Sequence, residues 1–228
     1  CIRDRCKDIK NMGVTQTYSF HSNGKLLITG EYAVLDGALA FALPTQKGQT
    51  LKVTEGANEN RWQAFDANGD LWFDSATLTT ETDQQIAQTL QKILTTATHL
   101  NPNFKDKWLH SQVQTHLEFP RFWGLGTSST LINNIAQWAS VNPYELLFKS
   151  FGGSGYDIAC AKSNTPLLYK LEGGKPHSYP LRFLFRHTHQ IYFVYLNQKQ
   201  NSKDGIARYR SVTKSKRKLA ESITRLTE

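Results

Sequence analysis

The sequence predicts an α+β fold, and three observations predict it. The turn Asp66-Ala67-Asn68-Gly69 separates two short runs, Arg61–Phe65 and Leu71–Asp74, a β-hairpin signature. Over residues 81–98 the apolar period changes, with Ile86, Leu90, Ile93, Leu94 and Ala97 on one helical face. Strand-like and helix-like segments then alternate along a chain of 228 residues, enough for one large domain or a domain and a half.

In chain order, Tyr18 and Phe20, then Leu26, Leu27 and Ile28, read as extended segments on either side of a Ser22-Asn23-Gly24 turn. Residues 31–42 mix small and apolar side chains around an Asp36-Gly37 turn. After the hairpin and the first helix, residues 112–119 alternate again, with Val113, Thr115 and Leu117 on one face. Leu131, Ile132, Ile135, Ala136 and Ala139 form a second helical stripe. Asn142-Pro143 supplies a cap and a first-turn proline for a short helix through Lys149. Residues 167–171 and 176–181 predict strands around Gly173-Gly174, and 191–196 a strongly apolar strand. Ser202 opens a basic helix expected to run to the end.

The net charge of +8 is uneven. Residues 199–228 carry nine Lys/Arg against three Asp/Glu, and residues 1–11 four against two, so the body between them is neutral. Basicity confined to the ends reads as a solvated helix face around Lys214-Ser215-Lys216-Arg217-Lys218, not as a nucleic-acid groove. No segment has the ~18 apolar residues of a membrane span and no signal peptide is evident, so the expected location is the cytoplasm. Cys1, Cys6 and Cys160 give neither a disulfide framework nor a zinc spacing, and Cys160 reads as a small buried hydrophobe. The single methionine, Met12, is the expected start, with residues 1–11 a non-native or disordered leader.

The chemistry concentrates in Gly124-Leu125-Gly126-Thr127-Ser128-Ser129-Thr130, between a strand and a helix. Glycines let the backbone approach an anion, and the amides of a helix N-terminus are unpaired donors where the macrodipole favours negative charge. The competing reading is an ordinary Ser/Thr cap after a glycine turn. Two more segments carry weight. Ser22 to Gly37 contains Lys25, Gly30-Glu31-Tyr32 and Asp36-Gly37, and Phe151-Gly152-Gly153-Ser154-Gly155-Tyr156-Asp157-Ile158-Ala159 sets an aspartate beside glycines.

Together, in this order, the three segments resemble those of the GHMP kinase superfamily of small-molecule kinases, and within it the group named for Gly-Tyr-Asp-Ile-Ala. Pro120, Gly124 and Gly126 match the phosphate loop Pro-x-x-x-Gly-Leu-Gly-Ser-Ser, with Ser129-Thr130 replacing the usual Ala-Ala. The resemblance implies a kinase using ATP and Mg²⁺ on a small anionic acceptor, mevalonate or phosphomevalonate in isoprenoid synthesis, with a homodimer left open. A nucleotide-binding module without turnover is the alternative.

By that resemblance, Gly124, Leu125, Gly126, Thr127, Ser128 and Ser129 hold the ATP phosphates, and Ser128 also touches the metal. Asp157 orients or deprotonates the acceptor, and Lys25 supplies positive charge to the transferred phosphoryl group. Glu31, Tyr32, Ser154, Gly155, Lys199 and Ser202 are candidates for the substrate side. The family's metal-binding glutamate falls by spacing on Leu146, next to Glu145, and is not assigned. The resemblance further implies that residues 12–180 form a ribosomal-protein-like α+β ATP-binding domain. Residues 181–228 then open a ferredoxin-like second domain, whose glycine-rich third motif does not occur in this sequence.

Overall fold

A computed structural model describes residues 16–57, 59–182, 192–197, 202–212 and 215–228, without the side chains of Ser202 and Lys203. The expected leader, its Cys1 and Cys6, Met12 and Lys199 lie outside the described residues.

Among the described residues, seven strands form one mixed sheet. They are β1 (Gln16–Thr29), β2 (Ala40–Glu55), β3 (Arg61–Phe65), β4 (Leu71–Asp74), β5 (Ser111–Leu117), β6 (Leu167–Glu172) and β7 (Lys175–Pro180). The path β4-β3-β5-β2-β6-β7 places β2 centrally, and β1 lies antiparallel along its other edge. β3 and β5 run parallel, as the crossover through α1 (Glu81–Leu100) and α2 (Phe104–Leu109) requires. The remaining helices are α3 (Thr127–Ala139), α4 (Pro143–Ser150), α5 (Tyr156–Lys162), α6 (Ser202–Val212) and α7 (Lys216–Thr227), with a 3-10 turn at Ala33–Asp36.

The α+β expectation holds, and its local reasons are visible. Thr80 and Asp83 exchange side-chain to backbone hydrogen bonds in a capping box that starts α1, and Leu90, Ile93, Leu94 and Ala97 turn inward. Asn142 accepts from the Tyr144 amide at 2.9 Å ahead of Pro143, so α4 starts as the sequence predicts. The α1, α3 and α4 faces pack on Leu51, Val53, Trp62, Ala64 and Val113 of β2, β3 and β5. A smaller core joins α5 to β2 and β6 through Tyr156, Cys160, Ala42, Leu167 and Tyr169.

Three expectations change. Ser22-Asn23-Gly24 is no turn between two strands. It lies inside the continuous β1, where pairing jumps from Asn23–Gly48 to Lys25–Pro44 and Gly24 opposes the bulged Thr45–Lys47 stretch. The apolar strand expected at 191–196 is absent from its described part, where Tyr192 to Leu196 form no ladder and stay largely exposed. Ile191 lies outside the described residues. The basic C-terminal helix is two helices, and α7 buries Ala220 against Ala33 and Ala38. No helix among the described residues is long and apolar enough to cross a membrane.

Candidate functional site

The β1 bulge sets the site. By skipping a rung at Gly24, β1 frees the Lys25 amide to donate 2.9 Å to the Leu125 carbonyl, tying strand to glycine loop. The approach demands glycine, because a Cβ at residue 24 would lie 2.9 Å from that carbonyl and 2.5 Å from Thr45 Oγ1. Gly126 has φ +92° and starts α3 with no side-chain cap, so the Thr127, Ser128 and Ser129 amides at the helix start stay uncapped. The plain-cap reading of this run is therefore not what forms. Lys25 runs its stem across Gly126, where a Cβ would come within 3.1 Å of Cγ.

A buried polar network anchors α3. Ser22 Oγ donates to Asn134 Oδ1 at 2.6 Å, and Asn133 Nδ2 donates to Ser22 Oγ at 2.8 Å. Asn134 Nδ2 reaches the Gln49 carbonyl at 2.9 Å, and Thr130 Oγ1 donates to Gln49 Oε1 at 2.8 Å. Such a satisfied network fixes the helix start against the sheet more specifically than apolar packing alone. Sequence reasoning missed Gln49 on β2 and Asn133 and Asn134 on α3, and only the two asparagines carry a local signal, polar residues inside an apolar-periodic helix.

On the facing side, Gly152, Gly153 and Gly155 all have positive φ, and Gly155 starts α5 without a side-chain cap. Asp157 therefore does not cap its helix. Its carboxylate enters the cleft, where Lys25 Nζ lies 3.4 Å from Oδ1 and donates to Tyr156 Oη at 2.9 Å. Oδ1 is buried against Lys25, while the Asp157 side chain as a whole keeps 26% of its surface exposed, so the rest of the carboxyl group faces the cleft. Burial, with the Asp157 and Glu31 charges adding, pushes the Tyr156 phenol far above its ordinary range, so it stays protonated. The Cys160 thiol beneath is pushed up to about 12 by burial and by Asp157, consistent with its expected role as a core residue.

Glu31 and Tyr32 complete the wall. Tyr32 has φ +55° and ψ −38°, the strained centre of a γ-turn closed by the Ala33 amide on the Glu31 carbonyl at 2.6 Å. Desolvation in the cleft raises the Glu31 carboxyl above its usual value, Lys25 opposes this, and Asp157 adds to it. From the other side α6 holds Tyr32, with Tyr209 stacked at 6.0 Å and Gly205 leaving room for the Tyr32 hydroxyl.

The resulting cleft measures about 820 Å³ and brings together Lys25, Glu31, Tyr32, Asp157 and all of Gly124, Leu125, Gly126, Thr127, Ser128 and Ser129. Ser154 and Gly155 do not line it. Ser154 is buried, and its carbonyl accepts from the Tyr169 hydroxyl. Ser202 begins α6, as its sequence context predicts. Beside the cleft, an apolar pocket of about 420 Å³ lies between α1 and the sheet, walled by Trp62, Trp72, Phe73, Ile86 and Leu90 and meeting the loop at Thr127 and Ser128. No group of three or more His, Cys, Asp or Glu suited to a metal occurs among the described residues. Leu146 is fully buried in the core and Glu145 is exposed.

No protein-family profile and no curated protein sequence matches the chain. Solved structures do match. The chain aligns with a Methanococcus jannaschii mevalonate kinase at TM-score 0.59 and 11% identity, over 95% of this chain and 72% of that one. An L. major mevalonate kinase solved with R-mevalonate gives 0.55 and 14%, over 93% and 68%. A Streptococcus pneumoniae phosphomevalonate kinase solved with phosphomevalonate and AMPPNP gives 0.50 and 18%, over 67% of this chain and 49% of that one. At these identities the likeness is one of fold, and the chain has the GHMP-kinase fold.

Proposed function

We propose that this chain is a GHMP-type phosphotransferase that moves the γ-phosphoryl group of ATP, with Mg²⁺, to a hydroxyl or phosphate of a small anionic metabolite. Mevalonate and phosphomevalonate are the acceptors to test first, which would place the chain in isoprenoid precursor synthesis. The carrying observation is the placement of the Lys25–Asp157 pair, 3.4 Å apart, in one cleft with the uncapped start of α3. In this reading amides and a cation meet the phosphates there, and the part-exposed Asp157 carboxylate meets the acceptor. The apolar pocket beside Thr127 suits a nucleobase, with stacking surface at Trp72.

In this reading residues 12–180 form the ATP-binding domain and 181–228 open a second one. The amides of residues 124–129 would hold the phosphates, and the Ser128 hydroxyl would join them on Mg²⁺, which supplies charge neutralisation when bound. Asp157 accepts the acceptor proton as the new O–P bond forms and the bond to the ADP oxygen breaks. Lys25 pairs with the Asp157 carboxylate and meets charge developing on the phosphoryl oxygens. Glu31 and Tyr32 face the acceptor, Lys199 and Ser202 remain proposed contacts to it, and Ser154 and Gly155, which lie outside the cleft lining, are not proposed to touch it.

The test is acceptor-dependent ADP release with mevalonate, phosphomevalonate, sugars and amino alcohols, for the chain and for Asp157→Asn. One acceptor should stimulate release, and the substitution should lower kcat about 10³-fold while nucleotide Kd stays within about twofold. Binding of ATP with no release for any acceptor would instead leave a nucleotide-binding module without turnover.

A further inference from the structure

Arg121 is a half-buried cation with no counter-charge. Its guanidinium lies 4.6 Å from the Trp72 ring centroid and 4.6 Å from that of Phe122, a cation held across two aromatic rings. No carboxylate pairs with it and no hydrogen bond engages it among the described residues, whereas Arg61 on β3 is forked onto Asp74. It also lines both the apolar pocket at Trp72 and the cleft at the glycine loop, so it stands where the two open into each other. The family likeness assigns it nothing, since its place between Pro120 and Gly124 is unspecified in the loop pattern.

A planar guanidinium is weakly hydrated, stacks on aromatic rings and presents a fork of donors that matches phosphate oxygens. Its two ring contacts fix the plane in advance and leave the fork unspent. A ligand with an aromatic group in the apolar pocket and a charged chain toward Gly126 must pass this junction. We propose that Arg121 anchors the phosphate nearest the nucleoside, so that the site distinguishes nucleotides from nucleosides before the terminal phosphate reaches Lys25. The proposal rests on the nucleotide reading of the cleft.

Isothermal titration of adenosine, ADP and inorganic pyrophosphate into the chain, Arg121→Met and Arg121→Lys tests it. Arg121→Met should weaken ADP at least about tenfold and leave adenosine within about twofold, with Arg121→Lys in between because it keeps charge and loses the fork. Equal losses for ADP and adenosine would make Arg121 only a support of the aromatic wall and overturn the proposal, as would unchanged ADP binding. If the unaltered chain binds pyrophosphate but neither ADP nor adenosine, the nucleotide reading fails by itself. A tenfold loss of pyrophosphate in Arg121→Met would then still establish the anion anchor, and its absence would remove both.

Discussion

Gly24 sits where β1 passes tightly against the glycine loop, next to the Lys25 amide that donates to the Leu125 carbonyl. A Cβ at this position would lie 2.9 Å from the Leu125 carbonyl oxygen, closer than side-chain carbons approach. Thr45 Oγ1 can rotate away, but the loop carbonyl moves only with the loop. Gly24→Ala should therefore shift the loop off Lys25 and weaken ATP about tenfold, roughly 1.4 kcal/mol, with the fold retained. Calorimetric titration checks this, and wild-type affinity would count against a rigid strand-to-loop tie. Lys25 and Asp157 could be picked out in the sequence because each sits beside glycines in a segment of recognisable pattern. Ser22, Gln49, Asn133 and Asn134 could not, since their partners lie 81 to 112 residues away and a polar residue announces no burial.

At the scale of elements, the β3–β4 hairpin carries its own lock. Arg61 Nε and Nη2 donate to Asp74 Oδ1 and Oδ2 at 3.1 and 2.6 Å, and the Ala76 amide adds a bond at 3.0 Å. Arg61 foremost holds the Asp74 carboxyl below its usual 3.8. A depressed carboxyl stabilises the fold fully above its unfolded value and loses that contribution as pH falls through the lower folded value. Asp74→Asn should thus cost about 1–3 kcal/mol near neutrality and flatten the loss of stability below about pH 4, read by urea melts across pH. The hairpin was legible because Asn68-Gly69 names its turn. β2 was not read beyond residue 42, although Gln49, Leu51 and Val53 alternate inward along it. Pro44, Lys47 and Gly48 disguise it, yet Gly48 belongs there because a Cβ would meet the Ser22 carbonyl at 2.1 Å.

At the scale of the molecule, the C-terminal helices are fastened to the Tyr32 side of the cleft. Tyr209 stacks on Tyr32 and donates 2.7 Å to Asp36 Oδ2, while Thr224 Oγ1 accepts from the Leu39 amide at 3.0 Å. Gly205 permits this, since a Cβ there would lie 2.1 Å from the Tyr32 hydroxyl. Gly205→Ala should push α6 off Tyr32 and cost about 1–2 kcal/mol, a melting temperature roughly 2–8 °C lower by scanning calorimetry. An unchanged melt would mean that α6 contributes no stability through this contact. The sequence marked the tail as basic and helical but not its packed face, because Ala220 and Ile223 touch a 3-10 turn almost 190 residues earlier. The claim that joins all three scales is that nucleotide phosphates bind at the start of α3. Amide chemical shifts of ¹⁵N-labelled protein titrated with the magnesium complex of a non-hydrolysable ATP analogue test it most directly. The account requires the largest shifts at the amides of residues 124–129 and of Lys25, whereas silence there, or shifts gathered on the basic α7, would contradict it.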